Sequence, residues 1–286
     1  MSWQRELVVW CDAAAGKKAT VVATVSWDPT QYLKYADERG RPFVELVGRI
    51  EATDPRYVVD LGCGPGNLTE LLIAKWPGAG IRGVDSSAEM IERAQALAVP
   101  GRLEFEIGDI RDWAPDRPVD VLISNAALHW VAEHRALIPR LAQHVAPNGW
   151  LAFQVPGNHD EPAHRLLREL AGQPPWQPVL AAAGFGPSQL QRLPRPASEY
   201  LELLGGLGWR VDAWETTYLH VLSGADPVYE WISGTGARPV LAALDGSIRD
   251  EFVAEYKRQL REAYPARPYG TVLPFRRIFV VARRPA

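Results

Sequence analysis

The chain has 286 residues, of which 47% are hydrophobic and 23% charged, a balance that lets a globular protein bury a sizeable core without metals or cross-links. A net charge of −3 lacks the basic excess that phosphate backbones call for, which argues against a nucleic-acid partner. Only Cys11 and Cys63 are present, and no apolar run reaches the roughly 18 residues of a membrane span. The expected setting is therefore reducing and cytoplasmic, with no membrane and no obligate protein partner.

Residues 1–24 show no period and include the small-residue run Ala13-Ala14-Ala15-Gly16, so they are expected to be an extension outside the core. Tyr57 to Leu61 reads as a buried strand, and Asn67 to Lys75 as a helix beginning after a cluster of glycines. Gly80 to Asp85 is a second strand. Ser86-Ser87-Ala88-Glu89 then offers a helix start with an acidic first turn, leading into Met90 to Leu97. Leu103 to Ile107 and Val119 to Ser124 are the third and fourth strands. His134 to Val145 is a helix that Pro147-Asn148-Gly149 is expected to stop, and Trp150 to Val155 the fifth strand.

Beyond it, Gln173 to Pro196 is rich in Pro and Gly and reads as a long connection. Trp209 to Leu222 favours strand, Pro227 to Ser233 and Ser247 to Tyr264 favour helix, and Arg277 to Ala282 is a last apolar strand. Strands alternating with helices of this length imply an α/β fold, a doubly wound and mostly parallel sheet covered on both faces, with a helical insertion after the fifth strand.

Between the first strand and its helix stands Asp60-Leu61-Gly62-Cys63-Gly64-Pro65-Gly66. Glycines there let a ligand approach the backbone closely, although Gly-x-Gly alone also marks an ordinary tight turn. Asp85 ends the next strand, where a carboxylate can accept both ribose hydroxyls of an adenosine. Dinucleotide and S-adenosylmethionine sites share that feature. The glycine spacing separates them, because Gly62-x-Gly64-x-Gly66 departs from the G-x-G-x-x-G that cradles a pyrophosphate.

Val59 to Gly66 resembles the first motif of class I S-adenosylmethionine-dependent methyltransferases, a Rossmann-like family. The resemblance implies S-adenosylmethionine as cofactor, bound through Asp60, Gly62, Gly64, Gly66 and Asp85. Gly108-Asp109-Ile110 resembles the family's adenine-contacting segment, with Asp109 toward the exocyclic amine. Ser86 and Met90 are candidates for adenosine contact, although Met90 equally suits the core. The first and fourth strands flank the switch point of such a sheet, so Asn125 is expected near the methionyl part and the methyl acceptor.

For the acceptor, Ser124-Asn125-Ala126-Ala127 lacks the prolines and aromatic of nucleobase amino-methyltransferases. Trp27 to Tyr35 with Arg39 and Arg41-Pro42, Asn125 to Trp130, Gln154 to Asn158, Glu161 to His164, Trp214 to His220 and Trp231 to Pro239 together resemble the trans-aconitate 2-methyltransferases. The resemblance spans roughly residues 25–285 and implies a methyltransferase domain over 25–286, with a helical cap near 156–265. It begins at Val25, whose codon could serve as an alternative start. It further implies esterification of one carboxylate of a small tricarboxylate, which needs no metal and no base, since a carboxylate is already ionised at neutral pH.

A tricarboxylate calls for guanidinium forks and hydroxyl donors. Candidate substrate ligands are Arg39, Arg41, His129, Trp130, Arg238, Arg276 and Arg277. Tyr32, Tyr218 and His129 are candidates for positioning the reactants. Two other readings stay open on the residues: methylation of another acid, such as a carrier-bound malonyl group, and noncatalytic binding of S-adenosylmethionine.

Overall fold

A computed structural model describes residues 36–131, 133–185 and 195–286. The segment 1–24 and the stretch Trp27 to Tyr35, with Tyr32, lie outside the described residues. The described residues divide into two units, one made of 36–157, 195–218 and 275–286, the other of 158–185 and 219–274. Residues 195–218 thus interrupt the stretch 156–265 expected as one insertion, and group with the sheet instead.

The first unit begins with α1 (Ala36–Gly48), followed by β1 (Tyr57–Leu61), α2 (Leu71–Lys75), β2 (Gly80–Asp85) and α3 (Ala88–Ala94). Then come β3 (Leu103–Ile107), β4 (Val119–Asn125), α4 (His134–Gln143) and β5 (Val145–Pro156). Later it adds α7 (Ala197–Gly205) and most of β6 (Arg210–Leu222) and β7 (Thr271–Arg283). The sheet order is β3-β2-β1-β4-β5-β7-β6. The first five strands run parallel, and β7 lies antiparallel to β5.

Because helices cover both faces, central strands read as unbroken apolar runs, and all five residues of β1 are buried. Alternation sorts them into two layers. Val59, Leu61, Leu122, Phe153 and Val155 pack on one face with Leu137, Leu141 and Tyr200. Val58, Val121, Ile123, Ala152 and Phe279 pack on the other with Phe43, Leu46 and Tyr218.

Two expectations are corrected here. The helix after the glycines starts at Leu71 rather than Asn67, because the chain first turns at Gly66 and carries Thr69 inward to Asp60. Pro147-Asn148-Gly149 does not stop a helix either. α4 has already ended at Gln143, and the triplet forms a bulge inside β5, with Asn148 at φ 61° and a register shift opposite Val119 and Val121. Asn tolerates that left-handed conformation better than most residues.

The second unit contains α5 (Pro162–Ala171), α6 (Trp176–Ala182), α8 (Pro227–Ser233), α9 (Arg238–Ala242) and α10 (Gly246–Ala263). Helix α6 falls within the stretch expected as connection. Trp176 anchors it, donating Nε1 to the Ile248 carbonyl at 3.1 Å and meeting Phe252 edge-on. The hydroxyls of Tyr256 and Tyr264 take up the carbonyl and N–H of Ala163, fastening the start of α5 to α10. Among the described residues no helix is long and apolar enough to cross a membrane.

Candidate active site

The glycine loop leaves β1 at the carboxyl edge of the sheet. Gly62 and Cys63 both donate to the Val84 carbonyl, at 2.7 and 3.1 Å. Gly62, Gly64 and Gly66 all have positive φ, 78°, 57° and 80°. At Gly62 there is a second reason for glycine: a Cβ there would stand 2.1 Å from that of Ala127. Beside Gly64, by contrast, the space is open, as a loop that receives a ligand requires.

Asp60 is buried, and its Oδ2 accepts from Thr69 Oγ1 at 2.7 Å, while Oδ1 has no hydrogen-bond partner among the described residues. Burial, opposed by the Thr69 hydroxyl and reinforced by Asp85, pushes the Asp60 carboxyl up to about 7. Burial also pushes the Cys63 thiol up, so it carries no thiolate at neutral pH. Asp85 accepts from the N–H groups of Gly64 and Ser87, both at 2.9 Å. Burial raises its carboxyl, and those N–H bonds oppose the rise.

Ser87 is the N-cap of α3, accepting from Met90 N at 3.3 Å; Met90 is buried and Ser86 exposed. Asp109 follows β3, its carboxylate gripped by the exposed Arg111, which holds it below the usual range. Ile110, next to it, packs partly buried against the first core layer.

The switch point lies between β1 and β4, whose pairing is reinforced where Ser124 Oγ donates to the Leu61 carbonyl at 2.8 Å. Asn125 ends β4 with Oδ1 buried and unpartnered among the described residues. Ala126 then takes φ 52°, a conformation costly for a residue with a Cβ, and its N–H donates to the Gln154 carbonyl. This turn sets Ala127 against Gly62. His129 and Trp130 follow with ring centroids 4.7 Å apart, His129 half-buried and Trp130 exposed.

In β7, Arg277 is buried and donates to Gln154 Oε1 at 3.0 Å, with its guanidinium 4.4 Å from the Phe275 ring. Arg276 forms an ion pair with Glu215 at 2.9 Å. Tyr218 is buried and donates its hydroxyl to Glu45 of α1. Glu45 also accepts from Trp214 Nε1 and Thr216 Oγ1, at 3.2 and 3.0 Å.

Burial works to raise the Glu45 carboxyl, but these three donors and the Arg49 charge together outweigh it and hold it below the usual range. Burial and then Glu45 push the Tyr218 hydroxyl up, while Arg41 and Arg277 lie near enough to oppose this. Arg41 is exposed, its guanidinium 4.9 Å from the Tyr218 ring centre, and it borders an open groove of about 580 Å³ with Glu45 and Asn67. Arg39 lies in α1, with its side chain outside the described residues.

Arg238 belongs to the other unit, at the first turn of α9. Nearby, Gly236 abuts His164, whose burial lowers its pKa to about 4, and His220 stacks on Trp231. Sequence reasoning assigned no role to Glu45, Thr69 or Gln154. The alternation Trp214-x-Thr216-x-Tyr218 was the available sign that three donors share one side of a strand. Among the described residues no group of three or more His, Cys, Asp or Glu is placed to hold a metal.

Residues 32–235 match the profile of a methyltransferase domain. The chain is 50% identical over 270 residues to trans-aconitate 2-methyltransferase of Streptomyces avermitilis, covering 92% of this chain and 99% of that one. The chain belongs to the trans-aconitate 2-methyltransferase family. Its fold is shared by the YcgJ protein of Bacillus subtilis, with a TM-score of 0.53 at 14% identity, over 86% of this chain and 99% of that one. It is also similar to phosphoethanolamine N-methyltransferase 2 of Haemonchus contortus, solved with S-adenosylhomocysteine and phosphomonomethylethanolamine. That match has a TM-score of 0.50 at 14% identity and covers 86% of this chain and 53% of the other. The class I architecture, with its 3-2-1-4-5-7-6 sheet, is thus established for this family member.

Proposed function

We propose that this chain methylates one carboxylate of trans-aconitate, yielding the monomethyl ester and S-adenosylhomocysteine. Identity of 50% to an enzyme of that name over nearly the full length of both chains carries the reading. The site's own chemistry fits the donor. The open space at Gly64 suits a ligand laid against backbone, and the acceptors Asn125 Oδ1 and Asp60 Oδ1, unpartnered among the described residues, suit a ligand that brings an ammonium group.

When bound, S-adenosylmethionine supplies a sulfonium methyl, and transfer forms a carboxylate O–C bond while the C–S bond breaks and leaves its electron pair on sulfur. The protein's part is to hold oxygen, carbon and sulfur in line, which contributes roughly 7–11 kcal/mol in well-oriented systems. No proton needs to move, because the acid arrives ionised. Tyr218 stays a hydroxyl committed to Glu45, so it serves as a placed wall and acceptor rather than a base. Arg41 and Arg277 are suited to grip the carboxylates that do not react, leaving the reacting oxygen less tightly paired.

Incubation with trans-aconitate and S-adenosylmethionine carrying a labelled methyl group tests the chemistry. Label that mild alkali releases as methanol is the expected result, because a carboxylate ester hydrolyses under those conditions. Label transferred in an alkali-stable form would exclude a methyl ester.

A further inference from the structure

Gln154 of β5 is fully buried, yet only half of its amide is satisfied among the described residues. Its Oε1 accepts from Arg277 Nη1 at 3.0 Å. A guanidinium only donates, so chemistry fixes which way the amide points: oxygen toward Arg277, nitrogen away. That Nε2 has no hydrogen-bond partner among the described residues. Leaving such a donor buried and unanswered is costly, and a ligand is one of the standard reasons a protein retains one.

Its location indicates what the ligand is. Gln154 pairs in register with Asn125, whose Oδ1 is also unanswered. Alternation puts both on the face of Ile123 and Ala152, at the carboxyl ends of β4 and β5, where doubly wound sheets bind ligands. One strand thus offers an acceptor, suited to an ammonium group. The next offers a donor backed by a buried cation, suited to a carboxylate.

We propose that Gln154 is a substrate-binding residue. Its Nε2 donates to an oxygen of a non-reacting carboxylate while its Oε1 holds Arg277, so amide and guanidinium form one two-pronged seat. This inference rests on the function proposed above. An amide adds a directed hydrogen bond without a further positive charge, so the acid is oriented without all its carboxylates being over-stabilised in the ground state.

Gln154→Glu separates recognition from mere support of Arg277, because the carboxylate keeps the bond to Arg277 but repels the acid. Wild type, Gln154→Glu, Arg277→Met and the double variant are compared by kcat and KM for trans-aconitate, by calorimetric S-adenosylhomocysteine affinity and by thermal midpoint. Gln154→Glu is expected to raise KM by at least about tenfold, with cofactor affinity within about twofold and an unchanged midpoint. It is expected to raise KM again in the Arg277→Met background, where no guanidinium remains for it to neutralise.

An unchanged KM, or no further rise in the double variant, would overturn the seat and leave Gln154 as a support for Arg277. A matching loss of S-adenosylhomocysteine affinity would overturn it in favour of a contact to the cofactor's own carboxylate. A wild-type chain that does not turn over trans-aconitate would overturn the functional reading and the seat with it, an outcome distinct from either variant result.

Discussion

The hydroxyl of Tyr218 donates to the carboxylate of Glu45, which also accepts from Trp214 and Thr216. One acidic side chain of α1 therefore collects three alternate donors of β6. Arg49 adds its guanidinium 3.9 Å from the Trp214 ring centre and an ion pair to Asp212. Glu45→Ala leaves three donors without their shared acceptor and is expected to cost roughly 2 kcal/mol in a urea titration. Because Tyr218 adjoins both Arg41 and Arg277, KM for the acid is expected to rise more than the cofactor dissociation constant. Glu45→Gln, which retains one acceptor oxygen, is expected to recover part of both losses.

Gly62→Ala forces a Cβ to within 2.1 Å of the Ala127 Cβ at a backbone φ of 78°. No rotamer relieves that overlap, so the Asn125–Ala127 turn or the loop itself must shift. Overpacking of this kind costs about 1–3 kcal/mol, and the displaced loop is expected to lose at least about tenfold in S-adenosylhomocysteine affinity by calorimetry.

Asp60 gives a pH dependence of defined sign. Burial raises its folded-state value to about 7, above the ordinary unfolded carboxylate near 3.9. The folded chain therefore binds the proton more tightly, and this group's stabilising effect is complete below about pH 4 and lost as pH rises through about 7. Asp60→Asn removes the titration. Thermal midpoints taken from pH 4 to 8 are expected to show the variant gaining on wild type across that window, then running parallel.

In the second unit, Gly236→Ala would place a Cβ 2.7 Å from Cε1 of the half-buried His164. The imidazole or the Gly236 backbone must shift to admit it, and a loss of about 1–3 kcal/mol is expected in denaturant unfolding. Cofactor affinity, which we propose to be set by residues of the other unit, is expected to stay within about twofold.

The sheet was legible because its signals are local. An apolar strand, a glycine turn and an acidic strand end fall within Tyr57 to Asp85, and Ser87 caps its helix as a Ser-initiated turn should. The bulge at Asn148 was not legible, since Pro-Asn-Gly punctuates a helix end and a strand irregularity equally well.

Glu45 escaped notice because Arg41, Glu45 and Arg49 recur at four-residue spacing, the pattern of a solvent-facing helix stripe. Its partners lie about 170 residues on, beyond what any local period can indicate. Gln154 meets Arg277 across 123 residues for the same reason. Arg276 and Arg277 were indistinguishable in sequence, and the pleat separates them: one is paired to Glu215, the other buried against Gln154.

The most direct measurement is kcat/KM for methyl transfer to trans-aconitate, cis-aconitate, citrate, isocitrate and a malonyl-loaded carrier protein, with wild-type chain and saturating S-adenosylmethionine. Trans-aconitate is expected to be preferred over every other acid, with the monomethyl ester as product. Transfer confined to the malonyl carrier, or cofactor binding with no transfer to any of the five, would contradict the assignment.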